Sequence, residues 1–225
     1  MARADHLALI AGMSRIDGSS LDEADREAAL DIAVVRYSKD RPRALVADLV
    51  SPGGVFLPLP AGWVVGMSSM ISVETPIDLD PPVISAASVE EVPAGWRLRL
   101  AVPVATGEMI RLRWTVPHVV DDTTDTLPVA DREAVAAYAA AHLLEAMAAA
   151  RSADCDSSIG AANVGWQSAA SEYAKRAKDL RGRYFVALGL DSDRVVPAGT
   201  VVSVTRPDSL GAGRLTHGRR RWGMP

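Results

Sequence analysis

The hydrophobic period of this chain changes twice. Up to Pro42 apolar residues recur at helical intervals, from Arg43 to Val120 they alternate, and beyond Asp131 the helical interval returns. A spacing that lines one face of a helix scatters residues over both faces of a strand, so no single element serves both patterns. The expected fold class is therefore α+β: a helical bundle with an inserted antiparallel β domain, followed by an extended C-terminal tail. The expected divisions are residues 1–42 for the first helices, 43–120 for the β insertion, 121–190 for the second helices and 191–225 for a C-terminal arm.

In the first part, Ala4 to Ser14 suits a short helix with Leu7, Ile10 and Ala11 on one side. Ser20 followed by Glu23 has the spacing of a capping box. Leu21, Ala24, Ala28, Ile32 and Val35 then form one stripe, and Leu30, Val34 and Tyr37 a second. Two stripes predict a helix covered on two sides. It should end near Lys39, because Pro42 follows.

The β block is punctuated by prolines and glycines. The strands predicted between them are Ala44 to Leu49, Trp63 to Thr75, Val83 to Val89, Trp96 to Val102 and Met109 to Val116, a small antiparallel sheet or sandwich. In the last two, even-numbered residues are apolar and arginines stand between them. A loop from Pro103 to Gly107 predicts a hairpin pairing Leu100 with Ile110 and Trp96 with Trp114. That register sets Arg97 opposite Arg113 and Arg99 opposite Arg111. Like charges across a strand pair are destabilising, so this face calls for an anionic counterpart or for solvent between the side chains. Glu74, Glu90, Glu91, an acidic patch on another subunit and nucleic-acid phosphates are the candidates.

After an acidic, Thr-rich loop from Asp121 to Thr126, Asp131 is placed as a helix N-cap with Glu133 in the first turn. Val135, Tyr138, Ala139, His142, Leu143, Ala146, Met147 and Ala150 make a continuous stripe, and the alanines beside it allow another helix to come close. A further helix is predicted over Val164 to Leu188, with Trp166, Ala170, Tyr173, Ala177, Leu180, Tyr184 and Leu188 on its buried side. Aromatics are only 5% of the chain and much of its apolar content is Ala and Val. A core so poor in large side chains is thin, and assembly with other chains is a common remedy.

Catalytic and metal-binding signals are sparse. The single Cys155 leaves no disulfide or multi-cysteine zinc site, and Asp154 and Asp156 beside it oppose a thiolate. His142 and Glu145 have a metal-compatible spacing without a second ligand pair, so His142 reads as a hydrogen-bonding group in a helix interface. Asp121, Asp122 and Asp125 lack calcium-loop spacing and read as an exposed turn. Gly211 and Gly213 do not sit between a strand and a helix, and His118 after Pro117 reads as structural. No enzyme activity, cofactor or metal is expected. No apolar run reaches the roughly 18 residues of a membrane helix, and Met1 to Ala11 lacks a cleavable signal pattern, so no membrane partner is expected.

Charge is unevenly placed. The chain carries a net charge of −4, yet Arg206 to Pro225 holds five arginines against one aspartate, which leaves the first 205 residues at −8. The tail's glycines and prolines oppose a helix, but Leu210, Leu215, Trp222 and Met224 stand among Arg206, Arg214, Arg219, Arg220 and Arg221. Arg and Trp dominate binding hot spots, which predicts a segment that orders on a partner.

Four segments carry a resemblance. They are Tyr37-Ser-Lys-Asp-Arg-Pro-Arg43 leading into the β block, Gly107-Glu-Met-Ile-Arg-Leu-Arg-Trp-Thr-Val-Pro-His118, Leu127-Pro-Val-Ala-Asp-Arg-Glu-Ala-Val135 opening the Ala-rich helix, and Tyr173-Ala-Lys-Arg-Ala-Lys178. Through them the chain resembles the head–tail adaptor, connector or neck proteins of tailed bacteriophages. The resemblance implies a virion structural protein, assembled in the host cytoplasm as a ring, typically of twelve copies, at the head–tail junction. It implies docking on the portal protein through Arg206, Leu210, Arg214, Leu215, Arg219, Arg220, Arg221 and Trp222, with a tail or neck protein below. The ring would seal the filled capsid and let genomic DNA pass without tight binding, which suits an acidic body. The arginine face of Arg97, Arg99, Arg111 and Arg113 would meet another subunit or the tail. The alternatives are a tail-side completion or terminator ring, and a nucleic-acid-binding module using those arginines and the basic tail.

Overall fold

The structure, a computed structural model, describes residues 3–14, 22–153 and 161–190. Helices α1 (Arg3–Ser14) and α2 (Glu23–Asp40) precede seven strands, and α3 (Arg132–Ala153) and α4 (Ala161–Leu188) follow them, with a 3-10 turn at Val129–Asp131. The fold class is α+β, and the changes of period at Pro42 and Asp131 fall where helix gives way to strand and strand to helix.

The helices share one hydrophobic cluster. α3 lies at its centre, with α4 along it and α1 and α2 also packed against it. Ala134, Ala136, Ala137, Ala139, Ala140 and Ala141 of α3 are buried around nearly its whole circumference. With side chains this small, neighbouring helices can approach on several sides at once. α2 and α4 both end, and α3 begins, at one end of the bundle. There Asp40 of α2 accepts from the Tyr184 hydroxyl of α4 at 2.6 Å, and the Tyr37 hydroxyl donates to Asp131 at 2.5 Å. α3 therefore runs against α2 and α4, which share a direction.

α2 departs from its expected covering. Leu30, Val34 and Tyr37 are buried as predicted, whereas Ile32 is 44% and Val35 47% exposed, with Ala24 and Ala28 exposed before them. The capping box expected at Ser20 lies outside the described residues; the N-cap position of α2 is Asp22, without a side-chain cap bond.

The strands are β1 (Arg43–Val50), β2 (Gly54–Pro58), β3 (Met70–Glu74), β4 (Ile84–Ser85), β5 (Ala87–Val92), β6 (Gly95–Val104) and β7 (Met109–Val116). They form two antiparallel sheets, ordered β1-β7-β3-β4 and β2-β6-β5. Leu57, Leu98, Leu100 and Val104 from one sheet and Val73, Ile110, Leu112, Trp114 and Val116 from the other make a single core between them. The sequence reading merged β4 with β5, extended β3 back to Trp63 and overlooked β2. Turns at Gly62 and Gly66, both at positive φ, occupy the stretch before β3.

The predicted hairpin of β6 with β7 does not exist. β6 pairs with β2 and β5, and β7 pairs with β1 and β3, so the short connection between them crosses from sheet to sheet. The hairpin is instead β5 with β6, turning at Pro93 and Ala94 into Gly95 at φ 101°. The crossing from β6 to β7 is fastened to the crossing from β1 to β2: Ser51 donates its N–H to the Glu108 carbonyl at 2.8 Å and accepts from the Gly107 N–H at 2.9 Å. A Cβ on Gly53 would collide with the Thr106 hydroxyl, so glycine is required where these corners touch.

Candidate interaction surfaces

The two chain crossings between bundle and sandwich are locked by polar groups. His118, just after β7, donates its backbone N–H to the Ser38 hydroxyl at 2.9 Å. Its ring lies with Nε2 3.1 Å from the Arg41 carbonyl and Nδ1 3.0 Å from the Thr126 carbonyl. The ring also meets Tyr37 edge-on, with centroids 5.0 Å apart. The structural role expected of His118 is what these bonds describe. Arg41 donates to Asp131 at 3.1 Å and to the Leu188 carbonyl at 2.9 Å, so one guanidinium joins the end of α2, the start of α3 and the last turn of α4. Asp131, the residue directly before α3, is thus a buried anchor that accepts from two side chains. Burial, and then donation to Asp131, raises the pKa of Tyr37; burial, and then donation to Asp40, raises that of Tyr184.

Asp125 corrects the expectation of an exposed acidic turn. Its carboxylate, with a side chain only 3% exposed, lies 2.9 Å from Arg132 and 3.2 Å from the buried His6 ring and accepts the Leu127 N–H at 2.9 Å. Burial alone would push this carboxyl up, but the Leu127 N–H, His6 and Arg132 outweigh it and hold it below the usual carboxylate range. Sequence reading missed the site because its partners come from α1 and α3. The one available signal was an aspartate seven residues before an arginine that opens a helix.

The four arginines of the predicted hairpin face do not gather. Arg97 and Arg99 alternate with buried Leu98 and Leu100 on β6, and Arg111 and Arg113 alternate with buried Ile110, Leu112 and Trp114 on β7. Because each sheet turns its apolar side to the common core, the two pairs stand on opposite outer faces of the sandwich. Their cross-strand neighbours are not one another. Glu90 faces Arg97 in register and lies 3.3 Å from Arg99. Arg111 is held by Asp48 at 2.8 Å and Asp78 at 2.9 Å, with Glu74 at 3.8 Å. These bonds raise the Arg111 pKa, and the guanidinium in turn lowers that of Asp48. Two of the expected counterparts, Glu74 and Glu90, are therefore intramolecular partners. Arg97 and Arg113 are exposed and form no ion pair among the described residues.

Arg206, Leu210, Arg214, Leu215, Arg219, Arg220, Arg221 and Trp222 lie outside the described residues, as do Cys155 and the glycines of the tail. Glu145 engages Arg181 at 2.6 Å, not His142. Among the described residues no cluster of three His, Cys, Asp or Glu side chains is placed to hold a metal, and no helix is long and apolar enough to cross a membrane.

Exposed apolar side chains recur on both layers. On the bundle they are Ile32 and Val35 of α2, Val129, and Val186 of α4, which is 81% exposed. On the outer face of the β1 sheet they are Val46, Val50 and Ile84.

No family model matches the chain, and no curated protein matches it. Among solved structures it is similar to a chain in the neck of a native gene transfer agent (GTA) particle with C12 symmetry, 17% identical, over 77% of this chain and 92% of that one, at a TM-score of 0.27. It is similar at 19% identity to a chain in the neck of an empty GTA particle with C6 symmetry, over 60% of this chain and 74% of that one, also at a TM-score of 0.27. A chain in the virion of the native GTA particle is 16% identical over 77% of this chain and 91% of that one, at a TM-score of 0.26. Values this low carry no functional weight.

Proposed function

We propose that this chain is a structural protein of a phage-like virion neck: a head–tail adaptor that assembles as a ring below the portal, seals the DNA-filled capsid and offers a platform to the tail. The observation that carries the reading is the outward stripe of α2, apolar and uncovered on a helix whose other side is firmly packed. A subunit of a closed ring needs two different lateral faces. A second support is the lock of His118, Arg41 and Asp131, which makes the bundle and the sandwich a stiff building block. The third is the set of four segments resembling adaptor proteins.

In this reading the chain does no covalent chemistry. Arg206 to Pro225 docks on the portal, whose acidic or apolar pockets would receive the arginines, Leu210, Leu215 and Trp222. The acidic body lets DNA slide, because its net negative charge opposes tight contact with phosphates. The division of the hairpin arginines between two faces, and the pairing of Arg99 and Arg111 with carboxylates, favour this over a nucleic-acid-binding module. Assembly would take place in the host cytoplasm and end in the virion neck.

The test is removal of Leu210–Pro225. The shortened chain should keep its helical content and lose attachment to portal rings in co-sedimentation. Normal attachment would overturn the docking role of the tail. Electron microscopy of particles separates the adaptor from a terminator ring by position, next to the portal or at the tail end. Binding of duplex DNA at low salt, lost steeply as salt is raised, would favour the nucleic-acid reading.

A further inference from the structure

Resting on that reading, we propose that the free edge of β1 receives Thr200–Thr205 of a second copy of this chain as an added antiparallel strand. On one side β1 is paired with β7 residue for residue, from Arg43 to Val50. On the other side no backbone group of β1 is hydrogen-bonded among the described residues. A bare edge is a template for another strand, and proteins blunt it with proline, charge, bulges or brevity. The other edges are blunted in these ways. β2 has an irregular register and ends in Pro58, β4 is two residues long, and β5 carries Glu90 and Glu91. β1 is eight residues long and regular, with no proline or lysine. Its charges are Arg43 at the first position and Asp48, which Arg111 of the same sheet engages.

The sandwich core is open along this edge. Ile110, Leu112 and Trp114 of β7 are buried, but their β1 neighbours Leu49, Ala47 and Leu45 are only half-buried. One more strand beside β1 would cover them.

The same chain carries a segment that fits. Thr200-Val201-Val202-Ser203-Val204-Thr205 has five β-branched residues in six, more than any other six-residue stretch of the sequence, with no charge and no proline. Such residues suit a strand, and Gly199 and Pro207 bound the run. Paired beside β1, its Thr200, Val202 and Val204 face suits the half-covered Leu45, Ala47 and Leu49. An uncharged β-prone run left unpaired invites aggregation, as a bare edge does, and joining the two removes both hazards.

The ring reading assigns the strand to the neighbour. The Leu188 carbonyl at the end of α4 is tied to Arg41, two residues before β1. Residues 191–199 reach about 30 Å at full extension, several times the spacing of neighbouring strands. An edge and a strand are different surfaces, so each copy offers both and keeps one of each open until the ring closes. Arg206 onward remains for the portal.

Sedimentation velocity of the full chain, alone and with portal protein, tests this with two opposed variants. Val202→Pro removes a ladder donor from the strand, and Val46→Lys guards the edge at a position already 52% exposed. Each alone should weaken self-association by about ten-fold or more. An equal mixture should recover a two-copy species that does not grow, since one copy keeps its edge and the other its strand. In amide exchange, β1 should be protected in wild-type assemblies and quicken in Val202→Pro. A synthetic peptide of residues 199–206 in excess should restore that protection and block assembly of the wild type. Removal of Leu210–Pro225 leaves the strand in place, so self-association should survive it. Variants that associate like the wild type, a mixture that stays as single copies, or β1 amides equally protected in single wild-type copies overturn the exchange and leave the neck reading standing. A wild-type chain that stays single at every concentration, with and without portal protein, overturns both.

Discussion

The bundle and the sandwich solve the same problem with opposite materials. The sandwich core is made of large side chains, Leu98, Leu100, Ile110, Leu112 and Trp114, held between two sheets. The bundle core is made largely of alanine, with α3 enclosed on nearly every side, and its larger side chains, Tyr37 and Tyr184, are fixed by carboxylates. The first depends on volume filled and the second on closeness of approach and on polar locks at one end. The difference teaches where each can be broken: by removing atoms in the sandwich, and by adding atoms or titrating hydroxyls in the bundle.

The largest effect should come from Leu112→Ala. Leu112 is fully buried, and truncating such a residue costs about 2–5 kcal/mol through lost transfer energy and the cavity left behind. Urea unfolding measures it, and a cost far below that would mean that the sheets can collapse onto the gap. Next is the converse change in the bundle, Ala140→Leu. Ala140 has no exposed surface, and overpacking costs about 1–3 kcal/mol. A neutral result would show that α3 has slack around it.

Alkali should separate the two regions. All four tyrosines, Tyr37, Tyr138, Tyr173 and Tyr184, are on helices. Tyr37 and Tyr184 have folded-state pKa values raised above the unfolded one, so the stability they contribute is present below pH about 10 and is lost as pH rises beyond it. Amide exchange should then quicken in α2, α3 and α4 before β6 and β7. Tyr37→Phe should flatten part of that dependence. Acid acts through Asp125 and Asp48, whose pKa values are lowered. Their contribution is present above pH about 4 and is lost as pH falls through the folded values.

The smallest effect is expected from Arg111→Gln on the outer face of the sandwich. Its carboxylate partners are solvent-screened, and exposed pairs contribute little. The midpoint of unfolding should move slightly downward, and less in high salt. A large loss would mean that the Asp48, Glu74 and Asp78 cluster organises the sheet rather than decorating it.

Period and parity were legible in the sequence, and partners were not. The alternation around Leu98 and Leu112 marks which side of each strand is buried, and both strands obey it. It does not say which strand lies beside which, and the short link at Pro103 to Gly107 suggested a hairpin that the chain avoids by changing sheets. Charge was the better guide: Arg111 lies between Asp48 on β1 and Glu74 on β3, and the hairpin register would have set it against Arg99. On α2 both stripes were visible, but a stripe does not tell whether it is covered within the subunit or by a neighbour. The Asp125 lock was hidden because His6 and Arg132 reach it only after the bundle has formed. Of the candidate site, Arg97, Arg99 and Arg113 were found as exposed strand positions and Arg111 as a half-buried one, with a wrong account of what they face.

The central claim is that this chain is a part built to join others, and its native mass in the presence of portal protein tests that most directly. The account predicts a closed assembly attached to the portal, with a mass that is a whole-number multiple of the 23.8 kDa subunit. A species that remains at 23.8 kDa, free of the portal at every concentration tried, would contradict it.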